Sequence, residues 1–196
     1  MGLTGSIGMG KSTAALYFRL HSVPVFDSDF EVQTLLTKNR QVIRQIKLWF
    51  PEAICDGMVN RVLLGQKVFG DHAALTMLES IIHPVVRSAR EKFLRIHRAQ
   101  RKTLVLLDIP LLYETQADKG CDYVCVVTAP WFVQKRRVLA RPGMTLEKFR
   151  AIISHQMSDS KKRRHGDFII RTGLGKHHVQ RRARNIVRYL QGESTR

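Results

Sequence analysis

The chain has 196 residues, 44% of them hydrophobic and 25% charged, and its 33 Lys and Arg against 16 Asp and Glu give a formal net charge of +17. Those values suit one principal domain with a sizeable core and exclude a disordered or collagen-like chain, and the three cysteines are too few for a disulfide scaffold and fit a reducing compartment. No apolar run of about 18 residues is present and residues 1–30 lack the layout of a secretory signal, so the expectation is a cytoplasmic protein without a membrane span.

In chain order, Met1-Gly2-Leu3-Thr4 reads as the tail of a short first strand. A glycine-rich turn follows, then a helix over 11–21 offering Ala14, Ala15, Phe18 and Tyr17 for burial. Residues 23–26 are apolar and β-prone and run into Asp27, predicting a strand that ends in an acidic loop. Strand, loop, helix, strand is the opening of a parallel α/β sheet. Periodicity predicts one helix over 31–50, with Val42, Ile46, Trp49 and Phe50 on its buried face and Pro51 ending it. Asp56-Gly57 marks a turn, and Asn60 caps a short helix carrying Val62, Leu63 and Leu64. A longer helical pattern over 73–100 is interrupted by Pro84, which predicts two helices meeting near His83.

Residues 103–109 form an apolar run broken only by Asp108, and 123–128 form a second; both read as strands covered on both faces. Pro130 suits the first turn of the next helix, which ends near Arg141-Pro142-Gly143. Thr145 caps a helix through Met157, and 168–170 make a last strand. Val179, Ala183, Ile186, Val187 and Leu190 give the closing helix its buried face. Cys121 and Cys125 share a strand face by parity, and two thiols without further ligands read as small buried hydrophobes rather than a zinc site.

The stretch that carries chemistry is Gly5-Ser6-Ile7-Gly8-Met9-Gly10-Lys11-Ser12, which fits G-x-x-x-x-G-K-[ST] without exception. Glycines let the backbone wrap phosphates with its N–H groups, and the helix that starts near Lys11 adds its positive end. Lys11 reaches the β- and γ-phosphates of ATP and Ser12 ligates Mg²⁺ in such a loop, so Gly8, Met9, Gly10, Lys11, Ser12 and Thr13 form the expected nucleotide site. A dinucleotide fingerprint fails, because Thr13 stands where the third glycine is needed. Parallel sheets place ligands beyond the carboxyl ends of their strands, so Asp27 or Asp29 is expected to face the loop. There a carboxylate positions or deprotonates an acceptor hydroxyl, or orients Mg²⁺-bound water; the bland alternative is a pair of solvated loop acids.

Several stretches together resemble the dephospho-coenzyme A kinase family over nearly the whole chain. They are Gly2-Leu3-Thr4 with the phosphate loop, Phe26-Asp27-Ser28-Asp29, Ile82-His83-Pro84, and Leu107-Asp108-Ile109-Pro110-Leu111-Leu112-Tyr113-Glu114. Gln134-Lys135-Arg136-Arg137 with Arg141, Gln156, Lys162-Arg163 and Asp167-Phe168-Ile169-Ile170 complete the set. The resemblance implies a P-loop nucleoside triphosphate hydrolase-like core, three-layer α/β/α with a parallel sheet. To that core it adds a helical acceptor-binding region over 31–98 and a small lid over 137–165. It implies transfer of the ATP γ-phosphoryl group to the ribose 3′-hydroxyl of dephospho-CoA, with Asp29 as general base and Asp27 beside it in the acceptor site. It departs at Arg171-Thr172-Gly173, where the family commonly carries asparagine or aspartate.

Other candidates keep more than one reading each. Arg137 and Arg141, four apart, read as one helix face whose like charges are answered by nucleotide phosphates or by solvent, and Arg141 is the better candidate for stabilising the transferred group. Asp108 organises the Mg²⁺ water shell, binds the acceptor, or serves structure. His83 bonds ligand or caps a kink, and Glu114 orders the acceptor site or pairs with an arginine. Lys162 and Arg163 touch ATP phosphates on lid closure or form an exposed basic patch. Residues 131–196 hold 17 basic and 4 acidic side chains, a field that favours polyanions. Stacking-rich and recognition-helix patterns are absent, so no specific nucleic acid is expected, and the partners that the resemblance implies are ATP and dephospho-CoA. Another nucleotide or small-metabolite kinase is the near alternative, and a nucleic-acid-binding P-loop ATPase the distant one. A monomer is expected, with a weak oligomer as the alternative.

Overall fold

The apolar runs of the sequence pair into one parallel sheet. In this computed structural model, which describes residues 1–192, β1 (Gly2–Thr4) is central, flanked by β5 (Leu106–Asp108) and β6 (Val124–Thr128). Beyond them lie β2 (Val25–Asp27) next to β5 and β7 (Phe168–Arg171) next to β6, all neighbours running parallel. Alternation along β6 sends its side chains to two faces. Cys125 and Val127 pack with Leu3, Leu106 and Ile170, whereas Val124 and Val126 pack with Leu112. The first face is covered by α1 (Lys11–Leu20), through Ala14, Ala15 and Phe18, and by α9 (Lys176–Leu190), through Val179, Ala183, Ile186 and Val187. On the second face, α8 (Asp159–His165) packs along β6 and hands over to Gly166 directly against Val126. Helices on both faces of a parallel sheet make the three-layer arrangement.

The contacts divide the chain into two units, Met1–Asp27 with His97–Arg196, and Ser28–Ile96. The second unit has its own core around Val42, Ile46, Ala53, Leu64, Ile81 and Ile82. The helix expected over 31–50 is two helices, α2 (Ser28–Lys38) and α3 (Arg40–Trp49). Asn39 separates them because its side chain accepts from the Gln41 and Val42 amides, satisfying two donors that open α3. Trp49 is 59% exposed, and Phe50 takes the buried place at the end of that stripe. Asp56 and Gly57, with φ of 51° and 76°, turn a hairpin between β3 (Ile54–Cys55) and β4 (Met58–Val59). Asn60 caps α4 (Arg61–Val68), in which Leu64 is buried while Val62 is not.

The break expected near His83 does not occur, since α5 (His72–Ala99) runs through Pro84. Ile81 and Ile82 before the proline and Val85 and Val86 after it pack on one cluster, and that burial outweighs one missing backbone bond. Towards the C-terminus, α6 (Trp131–Leu139) starts after Pro130 and α7 (Leu146–Ser154) stops three residues short of Met157. Ser158 then caps α8, an element hidden in the sequence by its basic run. The two cysteines do not share a face: Cys121 packs with Leu112 and Val126, and Cys125 lies in the opposite cluster, where burial pushes its thiol up to about 12.

Candidate nucleotide site

The loop after β1 is shaped by contacts from three distant parts of the chain. Gln134 Nε2 donates to the Ile7 carbonyl at 2.8 Å, Thr172 Oγ1 to the Met9 carbonyl at 2.7 Å, and the Ile7 amide to Gln156 Oε1 at 3.1 Å. Gly8 and Gly10 have φ of 77° and 85°, the left-handed region open to glycine. Space forbids a side chain there as well, since a Cβ on Gly8 would lie 2.5 Å from Val138 Cγ2 and one on Gly10 2.9 Å from Thr172 Oγ1. No side chain caps the start of α1, and Ser12 stands exposed in its first turn. The orphan amides of that turn and the positive helix end are thus left for an anion. Met9 contributes backbone alone: its side chain is buried, and the Ala129 amide donates to its sulfur at 3.1 Å.

Charge gathers at the carboxyl ends of the strands. Lys11 Nζ lies 2.6 Å from Asp108 Oδ1, and Asp108, at the end of β5, is 2% exposed. Asp27 pairs in register with Asp108 from the neighbouring strand and lies 3.6 Å from Arg19 Nη2. One lysine and two carboxylates thus meet beside the glycine loop within the first unit. Among the described residues no cluster of three His, Cys, Asp or Glu could cage a metal. An exposed serine hydroxyl and nearby acids instead suit Mg²⁺, which keeps several waters and takes phosphate oxygens as ligands.

The other expected residues fall in three groups. Asp29 lies in the first turn of α2 and His83 on α5, both exposed and both in the second unit. Arg137 and Arg141 do not share a helical face, because α6 stops at Leu139 and Arg141 lies exposed beyond it. Arg137 donates from Nη1 to Thr172 Oγ1 and from Nη2 to the Thr172 carbonyl, both at 2.9 Å, so it is no solvated cation. Lys162 overturns one of its readings. It is completely buried with Nζ 2.9 Å from Glu114 Oε1, so it does not lie in an exposed patch. Glu114 correspondingly pairs with a lysine rather than an arginine, and it also accepts from the Met157 amide at 2.8 Å. Arg163 turns back to Asp159 at 2.9 Å.

Burial pushes the Glu114 carboxyl up, but the Lys162 ammonium and the hydrogen bonds around it outweigh that and hold it below its ordinary 4.5. A depressed folded-state value contributes stability above the unfolded value, and that stability is lost as pH falls through the folded one. The unfolding free energy of the wild type should therefore exceed that of Glu114→Gln at neutral pH, with the gap closing on acidification below 4.5. Lys162→Met strands a carboxylate with no buried cation and should cost about 3–5 kcal/mol in urea unfolding. A loss under about 1 kcal/mol, or a gap indifferent to pH, would show the pair to be energetically idle.

Nothing in the sequence ties Gln134, Gln156 or Thr172 to the loop. Each meets it across more than a hundred residues, and spacing carries no such signal.

Comparison with known proteins adds an independent line. The family model described as Dephospho-CoA kinase matches residues 1–175. The chain belongs to the dephospho-CoA kinase family. A dephospho-CoA kinase of Paramagnetospirillum magneticum is 52% identical over 163 residues, 83% of this chain and 77% of that protein. One from Mesorhizobium japonicum is 48% identical over 193 residues, 98% of this chain and 97% of its own. Among solved structures, a Thermus thermophilus protein superposes with a TM-score of 0.80 at 33% identity, covering 100% of this chain and 97% of that one. The dephospho-CoA kinase match takes in all five strands of the parallel sheet and ends just before α9. Among the described residues no helix is long and apolar enough to cross a membrane.

Proposed function

We propose that this chain transfers the γ-phosphoryl group of ATP to the ribose 3′-hydroxyl of dephospho-CoA, giving CoA and ADP, the last step of CoA biosynthesis. The observation that carries the reading is the uncapped glycine loop with Lys11 held 2.6 Å from a buried Asp108, inside a family match over residues 1–175. ATP phosphates take the amides of residues 8–13, and Lys11 exchanges its contact with Asp108 for the β- and γ-phosphates. The Ser12 hydroxyl would hold Mg²⁺, with Asp108 or Asp29 reaching it through water, and the ion would supply neutralisation of the phosphate charge. Asp29 accepts the 3′-hydroxyl proton late in transfer, and Asp27 and His83 orient the acceptor.

The region over 31–98 receives dephospho-CoA and the region over 137–165 closes over ATP, bringing Arg141 to the transferring group and excluding water that would otherwise hydrolyse ATP. Glu114, through its bond to the Met157 amide, ties the segment after β5 to that closing region. The protein acts in the cytoplasm as a monomer and needs no nucleic acid. An assay of ATP consumption with dephospho-CoA, nucleosides, nucleotides and shikimate, with products read by mass spectrometry, tests the reading. Dephospho-CoA alone should gain a phosphoryl group; transfer to another acceptor, or turnover that ignores the acceptor, would overturn it.

A further inference from the structure

Thr172 opens the short turn Thr172–Leu174 after β7 and is 4% exposed. Its hydroxyl donates to the Met9 carbonyl at 2.7 Å and accepts from Arg137 Nη1 at 2.9 Å. The single hydroxyl proton is thereby committed to the loop, and the Thr128 carbonyl at 3.4 Å is too distant to compete for it. The carbon atoms of the same side chain close against Gly10, where a Cβ would lie 3.1 Å from Thr172 Cβ and 3.2 Å from Cγ2. The Thr172 carbonyl receives the other guanidinium nitrogen at 2.9 Å, and Arg137 Nη1 also lies 3.5 Å from the Gly8 carbonyl.

Peptide geometry turns these contacts into a consequence for the ligand. The peptide between Met9 and Gly10 is planar and trans, so its C=O and N–H point to opposite sides. Holding the Met9 oxygen towards Thr172 fixes the Gly10 N–H on the opposite side of that peptide, away from Thr172. If that peptide rotates, an oxygen replaces a donor in front of the phosphates, and attraction becomes repulsion.

We infer that Thr172 is a positioning residue for ATP, its hydroxyl setting the direction of the Gly10 amide and the placement of Arg137 together. The inference rests on the proposed nucleotide site and extends it to a residue that need not touch the nucleotide.

The test compares Thr172→Val, which keeps the shape and removes the hydroxyl, with Thr172→Ser, which keeps the hydroxyl. ATP affinity is read by calorimetry without acceptor, and kcat and both KM values in the coupled assay. Valine should weaken ATP binding and raise the ATP KM about ten-fold, from one lost hydrogen-bonding centre. The acceptor KM and kcat should stay within about two-fold, and serine should restore ATP affinity to within about three-fold of wild type. Equal ATP affinity in the valine variant, failure of serine to rescue, or an equal rise in the acceptor KM would overturn the assignment. Should valine prevent folding, Thr172→Cys makes the same comparison with a weak donor of similar size. A wild-type chain that binds ATP yet leaves dephospho-CoA unphosphorylated would sink the proposed function and leave this measurement intact.

Discussion

Lys11→Ala should lower kcat/KM for phosphoryl transfer by about 10³-fold. The loop amides that remain still bind phosphates, but they are neutral dipoles, and charge developing on the β–γ bridge and the γ-oxygens needs a mobile cation. The same substitution carries a stability cost of separate origin. Asp108 is 2% exposed and 2.6 Å from the ammonium, so losing the lysine removes a cation in direct contact with a buried carboxylate. The double variant Lys11→Ala/Asp108→Asn separates the two effects, because amidation removes the buried charge without returning a cation. Urea unfolding should recover most of the stability in the double variant, while the coupled assay shows activity still lost. Single-variant activity within ten-fold of wild type would remove Lys11 from the chemistry.

Much of the first unit was legible because its signals are contiguous. The runs at 103–109 and 123–128 are apolar without alternation, as a strand covered on both faces requires, and both became inner strands. In the second unit, local rules met tertiary packing and gave way. Asn39 is tolerable inside a helix, and the spacing of Val42 and Ile46 continues the pattern before it, so only its capping bonds reveal the break. Pro84 drew the opposite error: a strong local breaker sits in a helix whose apolar residues on both sides share one cluster.

The phosphate loop was readable since eight adjacent residues carry it, whereas its supports were not. Lys162 shows why. Lys161, Arg163 and Arg164 beside it are exposed, so composition describes the run as solvated. The one lysine that turns inward does so for Glu114, 48 positions earlier in the chain, and a run of like charges contains no trace of that pairing. Thr172 is the same case in a neutral residue, because its partners are backbone atoms, which no sequence pattern names.

Asp29→Asn should lower kcat by about 10²- to 10⁴-fold while ATP affinity stays within about two-fold. The amide keeps the size and one acceptor oxygen of the carboxylate but cannot take a proton at neutral pH, so binding contacts persist and the proton loses its destination. Asp27 is the neighbour that must be told apart. It ends β2 beside Asp108 and lies 3.6 Å from Arg19, so its charge is already engaged in the first unit. Asp29, two residues on, stands exposed in the first turn of α2. Asp27→Asn should therefore act mainly on the acceptor KM, and Asp29→Asn on kcat. An interaction shared by ground and transition states moves KM, whereas a proton acceptor used only in transfer moves kcat. Exchange of the two phenotypes would assign the base to Asp27, and near-normal turnover in both variants would place the proton on water or phosphate instead.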